Sequence, residues 1–206
     1  ELLERVKEIA KGAALMTQTK VKTKILAGVS NLLYNETLGN IMQGNLDQLG
    51  APEFSKEEHL YAKKYQDTLT RKDIESAYSH AGIDLVEGQV LAETVVAGDV
   101  KPVDMGGSTD VADVSWVVPT VSLWGANYAI GTPFHSWQMT AQGKSSIAIK
   151  GMTHAAMVMA ATGSDLILNK TILDDAWSEH NKTIEKEGYV LPISLSASPP
   201  IKDMAP

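Results

Sequence analysis

Two short segments carry residue types that could do chemistry. In Met105-Gly106-Gly107-Ser108-Thr109-Asp110-Val111-Ala112-Asp113, paired glycines precede two hydroxyls and two carboxylates three residues apart. Glycine lets a backbone turn tightly and approach a ligand closely. Backbone amides around Gly107, with the polar side chains of Ser108, Thr109 and Asp110, are therefore candidates for lining a substrate pocket. The competing reading is a plain turn whose aspartates cap the next element. The second segment is Gly131-Thr132-Pro133-Phe134-His135-Ser136-Trp137, a glycine–proline loop expected directly after a strand, where α/β proteins place functional side chains. Gly131 is a candidate backbone contact. Neutral imidazole is the commonest metal ligand, which makes His135 a candidate. A lone histidine is also commonly just hydrogen-bonded, and a catalytic zinc site takes about three protein ligands. No second histidine stands at a close helical or hairpin spacing, so both readings of His135 stay open.

The other histidines point to packing or to solvent. His154 sits near the start of an alanine-rich helical pattern, His180 lies on an apolar face, and His59 and His80 fall among charged residues. Gly143-Lys144-Ser145 imitates the end of a phosphate-binding loop, but Gln138 replaces the earlier glycine and no apolar helix is expected to follow. No Gly-x-Ser-x-Gly nucleophile elbow occurs.

The elements that must position these segments read as a mixture of helices and strands. Leu2, Val6, Ile9, Ala13 and Met16 recur at helical spacing over residues 1–16. Val21, Thr23 and Ile25 alternate with Lys20, Lys22 and Lys24 at strand period. Asn35 predicts the cap of a helix over 36–49, with Leu38, Ile41, Met42 and Leu49 inward and Gly50 as its stop. Ser55-Lys56-Glu57-Glu58 is a capping box opening a helix to about Leu69, and Thr70 caps another to about His80. The charge and tyrosines of residues 51–80 predict a helical excursion at the surface. Val117–Gly125 and Tyr128–Ile130 read as strands. Gly151 is expected to precede a small helix ending near Gly163, and a last helix spans 171–187 with Gly188 as its stop. The proline-bearing tail (Pro192, Pro199, Pro200, Pro206) is expected to be extended. The expected class is α/β.

Composition narrows the partners. The chain has 206 residues, enough to bury about 70% of its unfolded surface. Acidic residues exceed basic ones, for a net charge of −7, so a basic footprint for nucleic acid or a membrane surface is missing. Cysteine is absent, which removes thiol nucleophiles and cysteine metal sites and suits a reducing, cytoplasmic setting. No apolar run approaches the ~18 residues of a spanning helix. The first residue is not methionine, and the chain opens inside a helical pattern without a cap, so a piece of a longer protein is expected.

Residues 107–120 (Gly107-Ser108-Thr109-Asp110-Val111-Ala112-Asp113-Val114-Ser115-Trp116-Val117-Val118-Pro119-Thr120) resemble the corresponding stretch of the p-aminobenzoyl-glutamate hydrolase B-subunit group, within the binuclear metallo-aminoacylase/carboxypeptidase superfamily. Gly131-Thr132-Pro133, His135-Ser136-Trp137-Gln138, Ala141-Gln142-Gly143, Lys150-Gly151-Met152 and His154-Ala155-Ala156 extend the likeness. Ala10-Lys11-Gly12-Ala13-Ala14-Leu15-Met16-Thr17 is similar to a helix of that family's lid domain. The likeness covers nearly the whole chain and is most specific over 106–163. Phe134 stands where a small residue is expected.

The resemblance implies a catalytic α/β domain interrupted by a lid domain that also mediates dimerisation. Residues 1–33 correspond to the last helix and strand of the lid, and residues 34–206 to the C-terminal half of the catalytic domain. Two divalent metals, zinc or manganese, would activate a water that attacks the amide of a small N-acyl or p-aminobenzoyl amino acid. His135 matches the metal ligand supplied by the C-terminal half. Asp110 matches an acidic position that shapes the site. The remaining ligands and the catalytic glutamate are expected upstream, so no catalytic residue is assigned within this chain and the chain alone is expected to be inactive. A homodimer through the lid, and a companion subunit, are the implied partners. The alternative is a non-catalytic assembly or ligand-binding protein derived from the same fold.

Overall fold

The computed structural model describes residues 1–98, 107–198 and 201. Met105, Gly106, Pro199, Pro200 and Pro206 lie outside the described residues. The chain divides into two compact units, Glu1–Ser30 with Val190–Pro206, and Asn31–Tyr189.

In the first unit, α1 (Leu2–Met16) forms where the apolar spacing predicts it. Ala14 is buried, but Leu2, Val6, Ile9 and Met16 are exposed. Gly28 meets the returning chain so closely that a Cβ there would lie 2.7 Å from the Pro192 carbonyl oxygen.

The second unit holds α2 (Glu36–Leu49), α3 (Lys56–Gln66), α4 (Arg71–Ala81), α5 (Val111–Ser115), α6 (Trp137–Gln142), α7 (Ser146–Leu168) and α8 (Lys170–Glu187). Helices α2, α7 and α8 pack on one another. Leu38 and Met42 of α2, Ile147, Gly151 and Val158 of α7, and Ala176 of α8 are buried. Polar side chains tie this bundle together. Asn35 accepts from the Leu38 amide at 3.0 Å, the expected cap, and its amide nitrogen donates to the Ala176 carbonyl at 3.0 Å. The Glu179 carboxylate of α8 accepts from the Glu36 amide at 2.6 Å and from the amide and hydroxyl of Thr37 at 2.9 and 2.8 Å. A carboxylate there meets the positive end of α2. Burial opposes its charge, and the Thr37 and Glu36 bonds outweigh burial, holding the carboxyl below its ordinary range.

A second cluster joins Ala62 of α3, Val90, Leu91 and Ala129 to Ile147, with Phe54, Tyr61 and Tyr65 against it. The Ser55–Glu58 and Thr70–Asp73 capping boxes both form. The segment 51–80, expected at the surface, buries Ala62 and Tyr78 while leaving Leu60 exposed. Gln66 donates to the Gln89 carbonyl at 3.0 Å and Tyr78 to the Gln89 side chain at 2.7 Å, which fastens α3 and α4 to the 86–91 loop.

The α/β expectation is overturned: among the described residues there is no strand, and the regular elements are helices. Residues 21–25, 117–125 and 128–130 are irregular. A helix satisfies its amides within its own segment, whereas a strand needs a neighbouring strand to receive its hydrogen bonds. Alternating or apolar β-branched runs state a preference and supply no partner. Where the chain does approach in this way, the Ile130 amide donates to the Val90 carbonyl at 2.9 Å without a ladder forming. The helix expected from Gly151 begins earlier, at Ser146, with the Ser145 hydroxyl accepting from the Ala148 amide at 3.1 Å. A helix thus does follow Gly143-Lys144-Ser145, although the glycine required at position 138 is still missing. No helix among the described residues is long and apolar enough to cross a membrane.

Candidate functional site

The His135 loop is held at both ends. Gly131 opens it at φ +90°, buried, with space for a Cβ only 3.0 Å from the Ile74 backbone. Only glycine adopts this conformation and this approach without strain. Ahead of it, the buried Gln142 side chain of α6 accepts from the Ala129 amide at 2.8 Å and donates to the Thr132 hydroxyl at 3.0 Å. Thr132 in turn donates to the Ala129 carbonyl at 2.7 Å. At the far end the Ser136 hydroxyl accepts from the Met139 amide at 3.2 Å, capping α6, and donates to the Pro133 carbonyl at 2.7 Å. Between these anchors His135 sits at φ +58°, the left-handed region, with an exposed side chain. That conformation costs a non-glycine residue about 1 kcal/mol. Bonds on both sides, at Ala129–Thr132 and at Ser136, hold the segment in which it occurs.

Aromatic rings stand beside this loop. Trp124 and Tyr128 lie 5.7 and 6.1 Å from Phe134, the latter edge-on. Trp124 and Phe134 remain exposed, and burial pushes the Tyr128 phenol up. Of the three, Phe134 alone drew notice in the sequence, as a departure from the expected small residue. The grouping of Trp124 and Tyr128 around it had no local signal.

The described part of the glycine segment and the helix after it, residues 107–116, have other partners. Gly107, Ser108, Thr109 and Asp110 are all exposed. The Thr109 hydroxyl accepts from the Val111 amide at 3.3 Å. Asp110 opens α5 without a side-chain capping bond, so the capping alternative does not describe it. Asp113 accepts from the Tyr189 hydroxyl at 2.9 Å. Tyr189 stacks on Trp116 with ring centres 5.7 Å apart, and the Trp116 indole donates to the Asn31 carbonyl at 2.8 Å. Ser115 accepts from the Leu33 amide at 2.8 Å. Nearby, a crevice lined by Tyr34, Asn35, Thr120, Glu179 and His180 has room for about one water, far below the volume of a substrate.

Three of the other histidines are engaged elsewhere, and His80 is exposed on α4. His154 meets the Gly50 carbonyl at 2.6 Å, His180 is buried edge-on to Trp177, and His59 bridges the Ser55 carbonyl and Glu93. Among the described residues no three His, Asp or Glu side chains converge as a metal cage would require. A two-metal centre therefore does not fit the described residues by themselves, because the donor set around His135 is one imidazole.

Comparison with curated proteins decides the kinship. The chain is 39% identical over 212 residues to the B subunit of p-aminobenzoyl-glutamate hydrolase from Escherichia coli (strain K12). The resemblance holds. The match takes in 98% of this chain and 44% of that protein, so the chain spans less than half the length of its relative. No family model matches, and no solved structure matches.

Proposed function

We propose that this chain forms part of a metal-dependent amidohydrolase that cleaves the amide bond of an N-acyl or p-aminobenzoyl amino acid. The observation that carries the reading is 39% identity across 98% of the chain to a protein named for that hydrolysis. His135 contributes one ligand to a zinc or manganese centre whose other ligands and catalytic glutamate belong to sequence outside this chain. An exposed imidazole on a doubly anchored loop supports that role, since a ligand must be presented rigidly and must be reachable. Gly107, Ser108, Thr109, Asp110 and Gly131 contribute to the substrate pocket. Residues 1–33 belong to a lid through which two copies associate, and residues 34–206 to the catalytic part. The relative is named as one subunit of its hydrolase, which supports a companion chain as a further partner. The chain by itself is inactive.

The deciding experiment uses the protein extended by sequence corresponding to the rest of the relative. His135→Ala is expected to lower bound metal and aminobenzoyl-glutamate hydrolysis together, by at least about 100-fold in rate, since even residues that merely orient a ligand cost about 10–100-fold. Unchanged metal content with full activity overturns the ligand assignment. The chain alone, supplied with zinc or manganese, is expected to give no turnover; hydrolysis by it would place the active site wholly within these residues.

A further inference from the structure

Aromatic rings precede and follow His135 in the chain, and the two groups have different neighbours. Trp137, two residues after it on α6, lies 6.2 Å from Tyr65, which is 5.0 Å from Tyr61. Those tyrosines pack against the buried cluster of Ala62, Leu91, Ala129 and Ile147, and the Tyr61 hydroxyl donates to that of Tyr65 at 3.2 Å. This group continues the core. Phe134, immediately before the imidazole, has Trp124 at 5.7 Å with an interplanar angle of 45°. Trp124 is 65% exposed and Phe134 48%. Tyr128, half-buried, meets Phe134 edge-on at 84°. This group continues nothing within the chain.

The exposed pair stands on fixed backbone. Ala126 and the Asn127 side chain take the space left by the missing Cβ of Gly151, which seats them on α7. The Asn127 amide donates to the Gly125 carbonyl at 3.1 Å and the Ile130 amide to the Val90 carbonyl at 2.9 Å. On the Phe134 side, Gly131 lies against Ile74 and the Ser136 hydroxyl donates to the Pro133 carbonyl at 2.7 Å. Side chains already held in place lose little freedom when a ligand joins them. A further aromatic ring gains from offset or edge-on contact with theirs beyond the area it buries, and a saturated ring of the same size does not.

We propose that Phe134 and Trp124 determine specificity for the acyl group, selecting an aromatic acyl amino acid over an aliphatic one. The proposal rests on the amidohydrolase reading and narrows its substrate. Three observations choose the occupant. Phe134 adjoins His135, so whatever covers Phe134 lies beside the imidazole that the reading places at the reacting amide. Among residues 120–135 the large apolar side chains left exposed are these two rings and no aliphatic one. The relative is named for an amide of p-aminobenzoate, whose acyl part is an aryl ring.

The test compares benzoyl-glutamate with cyclohexanecarbonyl-glutamate, which are close in size and differ in the π system. Both are offered to the protein extended to the relative's length and to its Phe134→Leu, Trp124→Leu and Phe134→Tyr variants. The ratio of kcat/KM for the aryl over the saturated amide is expected to fall about 10-fold in each leucine variant and to hold in Phe134→Tyr, which keeps the ring. The two amides differ in intrinsic reactivity, and that difference cancels between variants. A ratio unmoved by both leucine variants overturns the proposal, as it would if polypeptide rather than substrate covered the rings. So does a ratio that falls instead in Trp137→Leu, which would put the acyl group on the other side of the loop. Binding of both amides is also read by saturation-transfer NMR under a chelator, so that neither is cleaved. An extended protein that cleaves neither amide, yet loses its binding preference in Phe134→Leu, refutes the hydrolase reading and leaves the aromatic selection standing. Cleavage of both amides with an unmoved ratio does the reverse.

Discussion

The α2–α7–α8 bundle and the 107–135 region belong to the same compact unit and are built on different terms. In the bundle each polar end has its answer inside the chain: Asn35 caps α2 and reaches Ala176, Glu179 closes the α2 amides, and Asn45 meets Asp165. The 107–135 region is tied back at a few points, Ser115 to Leu33, Trp116 to Asn31 and Ile130 to Val90, and leaves Val111, Val114, Val117, Val118, Trp124 and Phe134 exposed. The first region is stabilised by contacts it already makes. The second presents surface whose burial these residues do not accomplish. The bundle therefore works as a scaffold, and the candidate site is the part most dependent on what surrounds it.

Substitutions can break this contrast. Ile147→Ala, on α7 in the cluster with Ala62, Leu91 and Ala129 and 1% exposed, is expected to cost about 3 kcal/mol in urea unfolding of this chain. Val118→Ala, in the exposed run, is expected to change the same midpoint by less than about 0.5 kcal/mol. Comparable losses at the two positions would show that the 107–135 region is as well packed as the bundle.

Gln142→Ala sharpens the boundary between the two. It removes the acceptor of the buried Ala129 amide and the donor to Thr132, for an expected cost of about 2 kcal/mol. The loss should appear as faster hydrogen exchange at 129–136, with the α2 and α8 amides unchanged. Slowed or unaltered exchange at 129–136 would mean that Gln142 does not hold the loop.

A loss smaller than those at Ile147 and Gln142 is expected from a pH dependence seated at the edge of the bundle. Burial of Glu58 pushes its carboxyl up, but bonds from Lys150, Ser146 and the Ser55 amide outweigh that and bring it from 4.5 down to about 2. A folded-state pKa below the unfolded value contributes stability that is full above about pH 4.5 and is lost as pH falls toward 2. The contribution is about 1 kcal/mol, because the Lys150 ammonium is partly solvated. Urea midpoints measured from pH 2 to 6 should fall with acidification in the parent and should fall less in Glu58→Gln. Parallel curves would remove the pair from the stability of this edge.

The helix termini were legible residue by residue. Asn35, the Ser55–Glu58 box, Thr70 and the stops at Gly50 and Gly188 act on amides within four positions, so their neighbours in the chain contain the whole interaction. Ser145 carried the same kind of signal for α7, but the glycine at 151 drew the expected start away from it. Gly151 is instead a packing glycine, its missing Cβ leaving room for the Ala126 carbonyl and for Asn127.

By itself the sequence determined where α1, α2, α3, α4 and α8 begin, which histidine stands on a glycine–proline loop, and which longer protein the chain resembles. Each of those depends on residue identity and short spacing. Only the tertiary structure decided that residues 21–25, 117–125 and 128–130 form no sheet, that Gln142 clamps the loop before His135, and that α7 keeps an uncharged outer face. Those outcomes depend on partners far away in the chain: a strand and a buried amide are each settled by what comes to lie against them, and a helix face by which of its sides is covered.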